Sequence, residues 1–402
     1  MPSLPDARGE RLACLDWIRF LVVLLLAPFH AAISFTGMGS VYVYDTPVRD
    51  IMLSGGTPSG VGPLVLTEFS VFLDNWFMHL LFLVSGIAAA MALRKRSATQ
   101  FLVERCSRLL LPLLLGTVMV VSVQSWLRAV SFGTYTGGFL AFFPSFFNGP
   151  YTGPHGSGNF DVGQLWFLGS LFFLSAITLP LMVRIRNAGD ASRTMQAARR
   201  FAAMPFLLLP ALWTGVLEAL FRPGWPSSTV GPVVTLHLSF FLAGYLMAGV
   251  PELLKAVNRH RAVLLALGLG AFAARISVYS LFTVPDGYNA ANVTSQFFRG
   301  AASYGLVMAA MGYGQRYLNR QGRALAVARD LSFPLYILHF VPLSAALYLL
   351  LGTGLSIGAR WAIAVAASWA CVALFTCLAR HVPPLRWFFG IRRPRGALKR
   401  PA

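Results

Sequence analysis

Arg19 and His30 stand eleven positions apart inside one apolar stretch, residues 15–35. On an α-helix, about 100° and about 1.5 Å per residue bring the second to within roughly 20° of the first and about 16 Å farther along. An ionisable side chain in a bilayer costs about 2.5 kcal/mol or more on insertion scales, so two on one stripe mark a candidate site. A guanidinium grips phosphate bidentately, and an imidazole takes or gives a proton near neutral pH. Each has a plainer reading. Arg19 can snorkel to headgroups with Asp16, three residues earlier, as its partner, and His30 can be a hydrogen-bonded packing residue. Their shared face favours chemistry over both.

Further ionisable groups recur in the later apolar stretches. Asn75, His79 and Gly86 fall at i, i+4 and i+11, predicting one helix face with a polar half and a close-packing notch. Arg105 and Arg108, at i and i+3 near a helix start, suit a phosphorylated ligand, although a positive cytoplasmic loop would hold arginines there too. Glu218, Arg275 and Arg299 are placed in the outer halves of three stretches and His237 at a comparable depth in a fourth. Together they predict a hydrated pocket, with a helix-tying ion pair between Glu218 and Arg275 or Arg299 as the alternative. His339 falls in the inner third of its stretch, a position that more often holds a packing histidine.

The elements that must position these groups follow from composition. Hydrophobic residues make up 56% of the 402 and charged residues 12%, with a mean hydropathy of +0.64. Soluble chains carry about 25% charged residues, so this is an all-α integral membrane protein. Ten stretches approach the roughly 20 residues needed to cross hydrocarbon: 15–35, 70–92, 109–129, 164–183, 203–221, 233–250, 262–283, 295–314, 332–351 and 359–379. They predict a bundle of about ten transmembrane helices.

The net charge of +19 raises nucleic-acid binding, but its distribution argues for a membrane rule instead. Numbering the connections alternately, one side holds 26 of the 33 Lys and Arg, and the other only Arg49, Arg128, Arg222 and Arg360. Positive-inside logic puts both termini in the cytoplasm, most simply at a bacterial inner membrane, with no nucleic-acid partner. Residues 1–14 then form a cytoplasmic segment, 15–380 the transmembrane domain and 381–402 a basic tail. Connections 36–69 and 130–163 are external and too short for a domain of their own. The second is dense in Gly, Pro and Phe, and either dips into the membrane edge or links helices with aromatic anchors. Cys14, Cys106, Cys371 and Cys377 suggest no disulfide framework. No P-loop, HExxH or zinc spacing occurs, so neither a metal nor a bound cofactor is expected.

The sequence resembles the acyltransferase 3 family of multi-spanning membrane O-acyltransferases. Leu15-Asp16-Trp17-Ile18-Arg19 followed by Pro28-Phe29-His30 matches the family's Arg-x10-His. Met78 to Gly86, Arg105-x-x-Arg108, Leu165-Trp166-Phe167-Leu168 and Leu331 to His339 match its later segments. His79, Ile87 and Gln164 depart from the usual residues, and a glucan biosynthesis protein C-like branch is a finer resemblance. The resemblance implies a cytoplasmic acyl-CoA co-substrate, its phosphates near Arg19, Arg105 and Arg108. It implies His30 as general base acting on a hydroxyl of a carbohydrate or similar cell-envelope acceptor, such as a glucan that becomes O-acetylated or succinylated. Asn75, His79, Glu218, Arg275 and Arg299 would line the acceptor pocket. A secondary transporter of an anionic or sugar-linked substrate would use the same buried groups but commonly shows repeats, which are not evident here. A glycosyltransferase would need a carboxylate base, for which Asp74 and Glu218 are the candidates.

Overall fold

The computed structural model describes residues 13–36, 43–53, 59–153, 156–224 and 231–392. Residues 1–12 and 393–402 of the expected terminal segments lie outside them. Every regular element among the described residues is helical, and the only β pairing is an isolated bridge between Pro150 and Phe160. In hydrocarbon the backbone has no water to bond, and a helix satisfies its polar groups within one segment.

Among the described residues, five helices are long and apolar enough to cross a membrane alone: Ala13–Ile33, Val61–Leu93, Ala98–Ser131, Arg261–Leu281 and Ile357–Ala379. Three bent pairs raise the number to as many as eight. They are Gly163–Ile177 with Leu179–Ala188, Val234–Gly249 with Pro251–Arg259, and Arg323–Leu338 with Phe340–Leu349. All ten expected stretches fall on helices, and among the described residues five to eight spans meet this test of length and apolarity. Helix Phe206–Phe221 is short, and Ala290–Tyr317 is long but carries Asn292, Gln296, Arg299 and Ser303. The 36–69 connection is also more structured than expected, with a helix at Thr46–Leu53 and the next already begun at Val61.

The chain divides into two compact units. One comprises Met1–Arg19, Phe72–Arg108 and Ser170–Gln321; the other comprises Phe20–Val71, Leu109–Gly169 and Gly322–Ala402. In the first, Gly86 and Gly244 let helices Phe77–Leu93 and Gly231–Gly249 touch backbone to backbone. A Cβ on Gly86 would collide with the Phe241 carbonyl, and one on Gly244 with that of Leu83. Small residues are how membrane helices gain such close packing.

In the second unit, Pro28 inside the first helix supplies no N–H to the Leu24 carbonyl four residues back. Trp369 replaces the lost donor, its indole N–H reaching Leu24 O at 3.3 Å, while Trp361 donates to Pro28 O at 3.0 Å. The aromatic connection after Ser131 folds onto the helix end rather than running as a loose linker. Phe142 and Phe146 are buried against Ala129, Trp126 and Tyr135, and Trp126 donates to Gly137 O at 3.1 Å. Arg128 pairs with Asp161 at 3.4 Å and lies over the Tyr151 ring, whose hydroxyl burial pushes above its ordinary pKa.

Candidate active site

Three clusters hold the candidate residues. The first gathers where the first helix begins. Arg19 pairs with buried Asp16 at 3.7 Å and keeps 36% of its side chain exposed. Ser97 caps the helix that carries Arg105 through a reciprocal bond pair with Gln100, so the arginine is presented from a fixed start. Arg105 lies 4.7 Å over the centroid of buried Phe101, within electrostatic range of Glu104, Arg19, Arg108 and Arg96. Glu104 is held by Arg96 at 2.8 Å and Arg108 at 2.9 Å. Four guanidiniums thus share two carboxylates, an excess of positive charge suited to a polyanion.

Arg105 and Arg108 differ in exposure despite their i, i+3 spacing. The helix widens to a π turn over Cys106–Leu110, ahead of Pro112, which cannot bond back to Arg108. Arg105 is half-buried, whereas Arg108 has 74% of its side chain exposed.

The second cluster surrounds His30. Its ring packs on Phe29 at 5.1 Å, Phe340 at 4.3 Å and His339 at 5.5 Å, the two imidazoles stacked with 26° between their planes. His30 Nδ1 is buried with no hydrogen-bond partner among the described residues. His339 stands at the junction of Arg323–Leu338 and Phe340–Leu349, which bend by 58°. The carbonyls at that bend are met by side chains. His339 Nδ1 faces Leu335 O at 2.7 Å and Tyr336 O at 3.1 Å, Gln164 donates to Ile337 O at 2.8 Å, and Ser368 donates to His339 O at 2.7 Å. Tyr336 in turn donates to Gln164 O at 2.6 Å.

The third cluster centres on Arg299, which bonds Asp74 at 2.8 Å and lies 3.8 Å from Glu218, itself 1% exposed. Helix Val61–Asp74 ends here and Phe77–Leu93 begins after a two-residue break that holds Asn75. Ser303 donates to the Asn75 carbonyl at 2.6 Å, and the Asn75 amide reaches Arg299 O at 3.4 Å. His79 and His237 pack at 5.2 Å, and both His79 nitrogens are buried without a hydrogen bond among the described residues. Arg275 lies over the Tyr279 ring at 5.5 Å, within electrostatic range of Arg299.

Arg19 joins Arg105, and Asn75, His79, Glu218 and Arg299 converge with Arg275 in range. Sequence reasoning missed His339 beside His30 and the Asp74 salt bridge of Arg299; Asp74 and Asn75 adjoin in sequence, a signal that was available. No group of three or more His, Cys, Asp or Glu suited to a metal occurs among the described residues.

The chain matches the acyltransferase 3 family, described as an acyltransferase domain, over residues 12–380, and it belongs to that family. It is a membrane acyltransferase. No curated protein and no solved structure matches the chain.

Proposed function

We propose that the chain moves an acyl group from cytoplasmic acyl-CoA to a hydroxyl of a carbohydrate or similar cell-envelope acceptor, with His30 as general base. The observation that carries this reading is the His30 ring: held by Phe29, Phe340 and His339, it presents a buried Nδ1 with no hydrogen-bond partner among the described residues, on the same continuous helix as Arg19. A buried imidazole nitrogen left unbonded costs stability, which a proton-transfer role explains. At the other end of that helix, Arg19 with Arg105 and the more exposed Arg108 offers the cationic surface that the phosphates of CoA require. His30 takes the proton of the acceptor hydroxyl as its oxygen attacks the thioester carbon. The C–S bond then breaks, and the CoA thiolate takes up the proton. Asn75, His79, Glu218, Arg275 and Arg299 supply hydrogen-bonding groups for a hydroxyl-rich acceptor.

The test is mass spectrometry of cell-surface and periplasmic glycans from bacteria with and without the chain, and with His30→Ala. An added acyl mass present only with the wild-type chain supports the reading. His30→Ala should lower it by about 10²–10⁴-fold while still inserting into the membrane. Near-wild-type modification in the variant removes His30 from the mechanism.

A further inference from the structure

His339 carries the second orphaned nitrogen beside His30, and its chemical state follows from its neighbours. Nδ1 faces two carbonyl oxygens, at 2.7 Å and 3.1 Å, and carbonyls only accept, so Nδ1 must carry the hydrogen. In the neutral ring Nε2 then holds a bare lone pair. That atom is buried without a hydrogen-bond partner among the described residues, in a residue only 1% exposed. The orientation is fixed from three directions: the bonds at Nδ1, the Ser368 bond to the His339 carbonyl, and the rings of His30, stacked on it, and Phe340, tilted against it. A packing histidine would be expected to find a donor for Nε2, because a buried lone pair left unmet is costly.

We infer that His339 is a second catalytic residue: Nε2 accepts a hydrogen bond from a neighbouring, non-reacting hydroxyl of the acceptor, which holds the reacting hydroxyl with its own proton directed at His30. This deepens the acyl-transfer reading and rests on it. The lone pair selects the ligand class. A thioester carbonyl and a thiolate offer only lone pairs, so neither can satisfy Nε2, whereas a hydroxyl can. His339 therefore serves the acceptor half of the reaction. The proton of the reacting hydroxyl leaves to His30 as the C–O bond forms, the C–S bond breaks, and the proton ends on the CoA thiol.

A nucleophile that needs no proton removed before attack separates this role from a structural one. Hydroxylamine attacks thioesters through its own nitrogen lone pair. The full-length chain and its His339→Phe and His339→Gln variants would be compared in two assays: acyl mass gained by cellular glycans, and hydroxamate formed by purified protein from acetyl-CoA and succinyl-CoA with hydroxylamine. Phe keeps a flat ring against His30 and removes the lone pair. Gln keeps one donor and one acceptor. Loss of a positioning hydrogen bond should lower the ratio of glycan ester to hydroxamate by about tenfold or more in His339→Phe, and by less in His339→Gln. An unchanged ratio in whichever variant folds, judged by thermal unfolding in detergent, overturns the role of His339. Failure of the wild-type chain to form either product would instead remove the acyl-transfer reading, and this role with it.

Discussion

Arg105 and Arg108 show how much a single residue's surroundings alter what its spacing suggests. The π turn that follows Arg105 leaves it against Phe101 and near Arg19, while Arg108 turns outward and spends its charge on Glu104. An exposed ion pair contributes little, so Arg108 is the more dispensable of the two. Arg19→Ala and Arg105→Ala are expected to weaken use of acyl-CoA more than use of a short acyl thioester lacking the nucleotide, because only the former carries the phosphates. Arg108→Ala should give the smallest of the three effects. Comparing kcat/KM on both donors checks this, and equal losses on the two donors would assign the arginines to folding or topology. At this scale Arg19, His30 and the Arg299 cluster were legible in the sequence, because ionisable residues are conspicuous against apolar neighbours. His339 is equally conspicuous, but its stacking on His30 depends on a bend that no periodicity announces.

Helices impose a second layer of constraint, and Gly86 is its clearest case. The notch expected at this position is where helix Gly231–Gly249 crosses, with no room for a Cβ before the Phe241 carbonyl. Gly86→Ala should therefore cost about 1–3 kcal/mol, as overpacking does, and lower the unfolding temperature in detergent. Gly270 is the control, exposed in helix Arg261–Leu281 with open space around its Cβ position. Gly270→Ala should be neutral or slightly stabilising, since alanine is the better helix former. A similar loss in both variants would show that the crossing is not what Gly86 serves. Pro28 offers a second test. Trp369→Phe removes the indole donor from Leu24 O and should cost about 0.6 kcal/mol, typical of such bonds between membrane helices; no change in thermal stability would mean another group takes its place. Helix existence was legible throughout because apolar length alone dictates it. The break at Asn75, the π turn before Pro112 and the bend at His339 were not. The break at Asn75 and the bend at His339 depend on which side chains from elsewhere in the chain meet the freed carbonyls, and Ser303, Gln164 and Ser368 are far off in sequence.

For the molecule as a whole, charge is the feature from which an orientation is expected. The all-helical membrane class follows from composition, but the number of crossings does not, since a long helix such as Ala290–Tyr317 pairs its Arg299 with Asp74 and Glu218 rather than meeting an apolarity threshold. The positive-inside rule works on Lys and Arg near the membrane ends, and 26 of the 33 fall on one set of connections against four on the other. On that basis Thr152, in the aromatic connection, is expected to face the external medium, and Thr194, in helix Arg193–Arg200, the cytoplasm. Both are exposed, so a cysteine at either would be reachable from its own side. Single cysteines at these sites, in a chain whose Cys14, Cys106, Cys371 and Cys377 are replaced, would be challenged on intact cells with a membrane-impermeant maleimide. Thr152→Cys should label on intact cells and Thr194→Cys only after permeabilisation. The reverse pattern would invert the topology: Arg19, Arg105 and Arg108 would then face away from the cytoplasmic pool of acyl-CoA, and the donor side of the proposed reaction would fail with them.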